Sequence, residues 1–256
     1  MTLLRRLRLP HLEWIVLQRV LRANIRPLLL AACLVLIGGP TIVHAGQNLL
    51  DTDAFNGTNG DTLTTYSANW PLFGNWNQLG IRGSPPGGFG TGVAGSQGNR
   101  RTGQPFTDDH WAEITLDTLA DTALFVGARA TDEAPAGRGY GGGWDFGPTV
   151  YQIVRFNPDG SKTTLLNDPG SNTSAPSDII NVQVVGTTIT LKVTRGGSQL
   201  LSISTVEGTY PSGGTPLLFA SDATTNRLGG TWRAGSVTAD AAGQPPRSMH
   251  QFRLRR

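Results

Sequence analysis

The sequence contains few of the residues that build covalent or metal-linked frameworks. Its 256 residues include one cysteine, Cys33, and four histidines, of which His110 and His250 follow residue 45. An internal disulfide needs two cysteines, and a histidine-based zinc site needs three or four ligands. The sequence therefore argues against both an internal disulfide and a histidine-based zinc site. The fold must be stabilised by burial of apolar side chains, and about 200 residues are enough to form a sizeable core.

Residues 46–256 are also poor in the residues that favour long amphipathic helices. They contain three glutamates and two lysines but many Gly, Thr, Ser, Asn and Pro residues. Helix propensity is low for this composition, whereas its threonine, valine and isoleucine runs suit strands. The composition predicts an all-β protein.

Charge is unevenly distributed along the chain. Residues 1–45 contain six arginines and one acid, whereas residues 46–246 contain 11 basic and 17 acidic side chains, a net charge of −6. Binding to nucleic acid depends strongly on positive charge that neutralises phosphates. We therefore expect no nucleic-acid partner.

The N-terminal segment has the three parts of a secretory signal peptide. Arginines precede the uncharged apolar run 28–39, which is followed by Val43-His44-Ala45. This order predicts a signal peptide over residues 1–45 with cleavage after Ala45, and a secreted, periplasmic or extracellular protein without membrane association after cleavage. The run is shorter than the roughly 20 residues of a membrane span. Leu30-Ala31-Ala32-Cys33 leaves open a lipoprotein signal in which Cys33 is lipidated.

Residues 46–240 are predicted to form one antiparallel β-sandwich domain, and residues 241–256 a disordered basic tail. Apolar and polar residues alternate over 179–206 with glycine turns at 186 and 196–197, which is typical of a three-stranded meander. Further strands are predicted over 111–116, 123–129 and 149–156. Residues 83–104, with eight glycines, are predicted to be a long surface loop.

The order of these segments resembles the concanavalin A-like lectin/glucanase superfamily, in particular the laminin-G-like jelly rolls of secreted bacterial proteins. The features that carry the resemblance are the opening 53–60 and 68–70 segments, the strands at 111–116, 125–129 and 150–156, the Pro158-Asp159-Gly160 turn, the 179–206 meander, and the closing 217–220 and 232–237 strands. The resemblance implies a jelly-roll sandwich. Its members include sugar-binding modules, glycan hydrolases and adhesive spacers, so the fold does not choose among these functions.

No catalytic residue is assigned from the sequence. Glycan hydrolases of the resembled superfamily have a Glu-x-Asp-x-(x)-Glu strand motif, which places paired carboxylates on one face. The nearest approach is Glu113-Ile114-Thr115-Leu116-Asp117, which is typical of the solvent face of an ordinary strand. Asp108-Asp109-His110 has the residue types of an acid/base set but is better interpreted as a polar loop that enters a strand.

Calcium is the candidate cofactor, although the metal site is unknown. Asp51-x-Asp53, Asn56-Gly57 and Asn59-Gly60-Asp61 offer oxygen ligands but lack the full spacing of an EF-type loop. The alternative interpretation is turn chemistry, because Asn, Asp and Gly are the residues that turns require.

The candidate ligand-binding residues are Tyr140, Trp144, Asp145 and Trp76. The first three lie in the glycine-rich segment 138–148, which is predicted to be a loop between two strands. Sugar rings stack on aromatic faces, and their hydroxyls bond to carboxylates. Large aromatic residues are usually buried, so a core role for Trp144 remains the alternative.

These observations predict an exported, noncatalytic carbohydrate-binding or surface module whose partner is a glycan or a cell-surface polysaccharide. A glycan hydrolase with a diverged site and a structural or adhesive spacer are the alternatives. Exposure of Tyr140 and Trp144 beside a cleft would favour binding over a spacer role.

Overall fold

The computed structural model of the chain describes residues 46–83, 88–91, 95–117, 123–221 and 227–238. The predicted signal peptide (1–45) with Cys33, and the predicted tail (241–256), lie outside these residues. Within them, no helix has the length and hydrophobicity needed to cross a membrane.

The described residues form fourteen strands and one helical turn. The first half contains β1 (Gln47–Asp53), α1 (Leu63–Tyr66), β2 (Leu79–Ile81), β3 (Phe89–Thr91), β4 (Gln97–Arg100), β5 (His110–Leu116), β6 (Ala123–Thr131) and β7 (Arg138–Asp145). The second half contains β8 (Val150–Phe156), β9 (Lys162–Asn167), β10 (Ile179–Val185), β11 (Thr188–Arg195), β12 (Ser198–Val206), β13 (Thr215–Ser221) and β14 (Arg227–Val237).

The strands form two antiparallel sheets that pack as a sandwich. The eight-stranded sheet has the order β12-β11-β10-β5-β14-β3-β2, with β1 also paired to β14, and the six-stranded sheet has the order β4-β13-β6-β7-β8-β9. The prediction of an all-β, antiparallel sandwich is confirmed.

The predicted meander is present with its alternating pattern. Val182 in β10 and Leu191 in β11 are opposite each other in the register and both are buried. Gly186, with a φ of 55°, forms the turn between these strands, where a side chain would be strained. Because one face of each strand is buried, a slip of one residue would expose the whole apolar set.

Two apolar layers stabilise the sandwich. The larger lies between the sheets and includes Trp70 and Trp232, whose rings are 4.9 Å apart. The smaller lies on the outer face of the six-stranded sheet, where Phe125, Phe156 and Phe219 cluster with Phe73. The segment 71–77 runs beside β4 and brings Phe73 over this face. Part of the outer face of the six-stranded sheet is therefore covered by this segment.

Two sequence expectations about loops are wrong. Segment 138–148 is a loop only beyond residue 145, because residues 138–145 form β7 in the interior of the six-stranded sheet. Segment 83–104 contains β3 and β4, whose residues Phe89 and Gly98 are buried. Glycine has low strand propensity, so a glycine-rich segment does not look like a strand in the sequence. Glycine is nevertheless needed in a strand where neighbouring side chains occupy the space that its own side chain would fill.

The glycines of β7 make room on both faces of the sheet. A Cβ at Gly141 would lie 2.8 Å from Phe156 Cε2 on the outer face. A Cβ at Gly142 would lie 2.6 Å from Val182 Cγ2 of the facing sheet. The missing side chains therefore permit both the outer aromatic layer and the close approach of the sheets.

Gly142→Ala is expected to lower the free energy of unfolding by about 1–3 kcal/mol, the usual cost of overpacking a core. Gly147→Ala is the matched control, because its Cβ would meet Asp145 Oδ1 at 3.5 Å, an ordinary contact. Urea unfolding of both variants measures the effect, and equal stabilities would contradict the packing role of Gly142.

Candidate functional site

The structure separates the four predicted ligand-binding residues into two pairs. Tyr140 and Trp144 face the core between the sheets, with exposures of 0% and 5%. The Tyr140 hydroxyl accepts a hydrogen bond from the Tyr210 backbone N–H at 2.7 Å, and burial raises its pKa. The Trp144 ring lies edge-on, 5.3 Å from that of Tyr151. Trp144 thus has the core role that the sequence left open, and the exposure of Tyr140 and Trp144 beside a cleft that would favour binding over a spacer role is not observed.

Asp145 and Trp76 lie on the outer face of the six-stranded sheet. Both Gln152 and Lys162 donate to Asp145 Oδ2, and the Lys162 ammonium lies 4.9 Å from the centre of the Phe125 ring. The half-buried Trp76 ring packs edge-on against Phe219 at 5.1 Å. Its indole N–H is buried, with no hydrogen-bond acceptor among the described residues.

Trp144→Ala is expected to cost about 3–5 kcal/mol of unfolding free energy, because it removes a buried aromatic side chain and leaves a cavity. Phe146→Ala is the control, because Phe146 is 43% exposed beside the same strand. Thermal and chemical unfolding measure both variants. A Trp144 variant with wild-type stability would contradict the core assignment.

Glu113 occupies a polar row on the outer face of the eight-stranded sheet. Its carboxylate accepts from Asn181 Nδ2 at 3.2 Å and from Arg233 at 3.4 Å. Burial raises its pKa against the lowering effect of these two donors. A carboxyl of raised pKa can serve as an acid, but glycoside hydrolysis by paired carboxylates requires a second carboxyl group at about 5–10 Å. Glu113 is paired instead with an amide and a guanidinium.

The Asp108-Asp109-His110 segment has structural contacts. His110 Nε2 accepts from the Arg129 backbone N–H at 2.9 Å, and burial lowers the pKa of His110 to about 4. Asp108 and Asp109 accept from the backbone N–H groups of Gly213 and Gly186. The neutral histidine thus links β5 to β6, while the two acids fix neighbouring turns.

Asp51 and Asp53, two of the possible oxygen ligands for calcium, are bound by a guanidinium instead. Arg101 donates to Asp51 at 2.7 and 3.1 Å and to Asp53 at 3.1 Å. Asp53 also accepts from Tyr66 Oη and Trp70 Nε1. The guanidinium already supplies the positive charge that a cation would bring. Among the described residues, no group of three or more His, Cys, Asp or Glu side chains could hold a metal ion.

A cleft of about 350 Å³ lies beside β2, at the end of the eight-stranded sheet. Two chain segments form its walls, joined by the bridge between Thr62 and Gly80. Its lining residues are Gly60, Asp61, Thr62, Asn77, Gln78, Leu79, Gly80 and Arg82.

Hydrogen-bonding groups of both kinds line this cleft. Asp61 offers a carboxylate, Asn77 and Gln78 offer amides, and Arg82 offers a guanidinium that also donates to the Ile81 carbonyl at 2.9 Å. Gln78 Oε1 is buried, with no donor among the described residues. An unsatisfied buried acceptor costs about 1–3 kcal/mol.

Sequence reasoning did not find this cleft. Asn59-Gly60-Asp61 is a candidate for calcium binding through its oxygen atoms, whereas Asn77 and Gln78 belong to no motif in the sequence. The signal that was available is the run Trp76-Asn77-Gln78, in which an aromatic residue precedes two amides.

The comparisons with known proteins support the fold. The sequence matches no protein-family model and no curated protein. The exoplasmic/lumenal domain of VIP36, in a Ca2+/Man-bound form, is similar with a TM-score of 0.50 at 11% identity, over 76% of this chain and 94% of that domain.

Two further similar structures come from bacilli. The carbohydrate-binding module CBM66 from Bacillus subtilis has a TM-score of 0.41 at 12% identity, over 75% of this chain and 96% of the module. The GH43 protein BlXynB from Bacillus licheniformis has a TM-score of 0.43 at 11% identity, over 72% of this chain and 39% of that protein. At 11% identity, the likeness to the VIP36 domain supports the β-sandwich fold alone.

Proposed function

We propose that the chain is an exported, noncatalytic carbohydrate-binding module of the concanavalin A-like superfamily, and that its glycan site is the cleft beside β2. The observation that carries this proposal is the cleft lining, to which Asp61, Asn77, Gln78 and Arg82 all belong. Sugar hydroxyls both donate and accept hydrogen bonds, so a site that binds them needs both donors and acceptors in its lining. The VIP36 domain, whose fold is similar, is described in its mannose-bound form, which favours a sugar as the ligand.

The charges and size of the cleft narrow the ligand to a short neutral saccharide or the end of a glycan chain. One carboxylate and one guanidinium leave the wall without net charge. A volume of about 350 Å³ lies near the lower limit of small-molecule sites. Trp76, packed on Phe219, anchors the segment that carries Asn77.

A glycan array with the purified protein, followed by titration of the best ligand, tests the site. Asn77→Ala and Asp61→Asn are expected to weaken binding by about tenfold or more each, which corresponds to about 1.4 kcal/mol per tenfold. The exposed side chain of Asn77 can be removed while its backbone keeps the bonds to Ser96 and Gly98. Unchanged affinities in both variants would exclude the cleft.

Gln199→Ala is the matched control, because it removes an exposed amide from β12, far along the sheet order from β2. Circular dichroism checks that every variant is folded. Failure of the wild-type protein to bind any glycan would favour the spacer function. Release of new reducing ends from a bound glycan, abolished by Glu113→Gln, would favour the hydrolase.

Calcium dependence is tested by repeating the titration with EDTA. We expect unchanged affinity, because Arg101 neutralises Asp51 and Asp53, and among the described residues Asp61 is the one carboxylate that lines the cleft. Loss of binding that added calcium restores would instead place a calcium ion beside Asp61.

Export is the second part of the proposal, and it rests on the signal-peptide pattern. β1 begins at Gln47, and the Gly46 carbonyl accepts from the Thr238 N–H at 2.7 Å. Cleavage after Ala45 would therefore leave every described strand intact.

N-terminal sequencing of protein recovered from the producing cells is expected to begin at Gly46, the first residue after the predicted cleavage site. Mass spectrometry of the same sample distinguishes the alternatives. A lipid-modified Cys33 or an intact leader would contradict this prediction.

A further inference from the structure

His110 is a fully buried histidine whose two ring nitrogens are both hydrogen-bonded. Nδ1 lies 2.7 Å from the Thr107 carbonyl oxygen, which can only accept, so Nδ1 carries the proton. Nε2 is left with its lone pair, and the Arg129 backbone N–H donates to it at 2.9 Å. These contacts together require the neutral imidazole.

The Arg129 backbone N–H depends on this histidine. The registers of β6 with β7 and with β13 both pass over Arg129, and its φ of 56° lies in the left-handed region, as at a β-bulge. Its N–H therefore belongs to neither ladder and is bound by His110 instead. Because β5 lies in the eight-stranded sheet and β6 in the six-stranded sheet, this hydrogen bond joins the two layers of the sandwich.

The Arg129 side chain extends the same junction to two loops. Its guanidinium is buried and donates to the carbonyl oxygens of Asp108 and Tyr210 at 2.9 and 3.0 Å. It also donates to Asp109 Oδ1 at 3.2 Å. The loop before β5 and the loop before β13 are thus both bound to one buried cation.

Asp108 and Asp109 connect this junction to two turns. Asp108 Oδ1 accepts from the Gly213 N–H at 2.7 Å, and Asp109 Oδ1 accepts from the Gly186 N–H at 2.8 Å. The loops 106–109 and 207–214 and the turn between β10 and β11 therefore form one hydrogen-bonded unit at one end of the sandwich.

A proton on Nε2 of His110 would break this arrangement. Two N–H donors would then point at each other, and the new positive charge would lie beside the buried guanidinium of Arg129. The other charged groups facing His110 are Asp108, which favours protonation, and Asp109, whose carboxylate is bound to Arg129. The uncharged residues that flank it are Val184, Thr215 and Ser236.

We propose that His110 and Arg129 form an acid-sensitive latch between the two sheets, closed while His110 is neutral and opened by its protonation, which releases the loops 106–109 and 207–214. The latch is a property of the fold and does not depend on the glycan site proposed above.

The direction of the pH dependence follows from the protons bound in each state. Burial, together with the charge on Arg129, lowers the pKa of His110 from its usual 6.5 to about 4 in the closed form. An opened form, in which His110 meets water, regains the usual pKa and binds one more proton between these two values. The latch is therefore fully stable above about pH 6.5 and loses stability as the pH falls from there towards 4.

Hydrogen exchange measured by NMR on the purified protein tests this inference. The protection factor of the Arg129 amide is expected to fall about 50–100-fold between pH 7.5 and 4.5, close to tenfold per pH unit below 6.5. The Phe55 amide is the control within the same chain, because it is a buried N–H bound to a side chain, Asp53 Oδ1 at 2.8 Å, without a histidine. Its protection factor should change much less.

Two variants assign the effect to His110. In His110→Gln, the Arg129 amide is expected to show nearly the same protection at both pH values, because an amide can accept this hydrogen bond but does not titrate in this range. His250→Gln is the matched control and should keep the wild-type pH dependence. Circular dichroism confirms that each variant is folded.

The ring resonances of wild-type His110 provide a test that needs no variant. They are expected to titrate at a clearly lower pH than those of His250. Titration of both histidines near pH 6.5 with constant protection of the Arg129 amide would overturn the inference. So would equal losses of protection at Arg129 and Phe55, or an unchanged pH dependence in a folded His110→Gln variant.

Discussion

The buried ion cluster of Arg101 with Asp51 and Asp53 is the interaction on which the arrangement around the cleft depends. The Arg101 guanidinium lies 4.9 Å from the Trp70 ring and bonds to both carboxylates, with nearly all of these side chains buried. Removing one partner from such a cluster leaves an uncompensated charge in the interior, typically at a cost of about 3–5 kcal/mol. The cluster therefore fixes β1, the segment after β4 and the segment around α1 in one arrangement.

The position of the cleft follows from this cluster. Asp53 accepts from Tyr66 Oη, and burial together with this hydrogen bond raises the pKa of Tyr66 to about 12. Tyr66 ends α1, whose N-cap Thr62 is bridged to Gly80 of β2. One wall of the cleft is thus held by a buried charge network and the other by the sheet. A site preorganised in this way loses little freedom when it binds a ligand.

The sequence predicted the parts of the fold in which neighbouring residues alone determine the structure. The meander was predictable because one face of each strand is buried, which imposes a period of two. β7 could not be predicted in this way, because its glycines leave space for Phe156 and Val182, which are distant in sequence. Tyr140 and Trp144 are an even number of positions apart, so they lie on one face of a strand. This spacing was the one remaining local sign that the segment is a strand. The cleft was equally hidden, since its walls at 60–62 and 77–82 meet only through tertiary pairing.

The outer aromatic layer explains why likeness of fold does not locate the ligand site. Phe125, Phe156 and Phe219 fill the outer face of the six-stranded sheet, and Lys162 extends over Phe125 to reach Asp145. These three rings are at most 3% exposed, so a sugar could stack on them only by displacing Lys162 or the 71–77 segment. Burial of the rings stabilises the sheet, and the same burial removes them from recognition. The glycan site that we propose, the cleft beside β2, therefore lies at the edge of the other sheet, away from these rings.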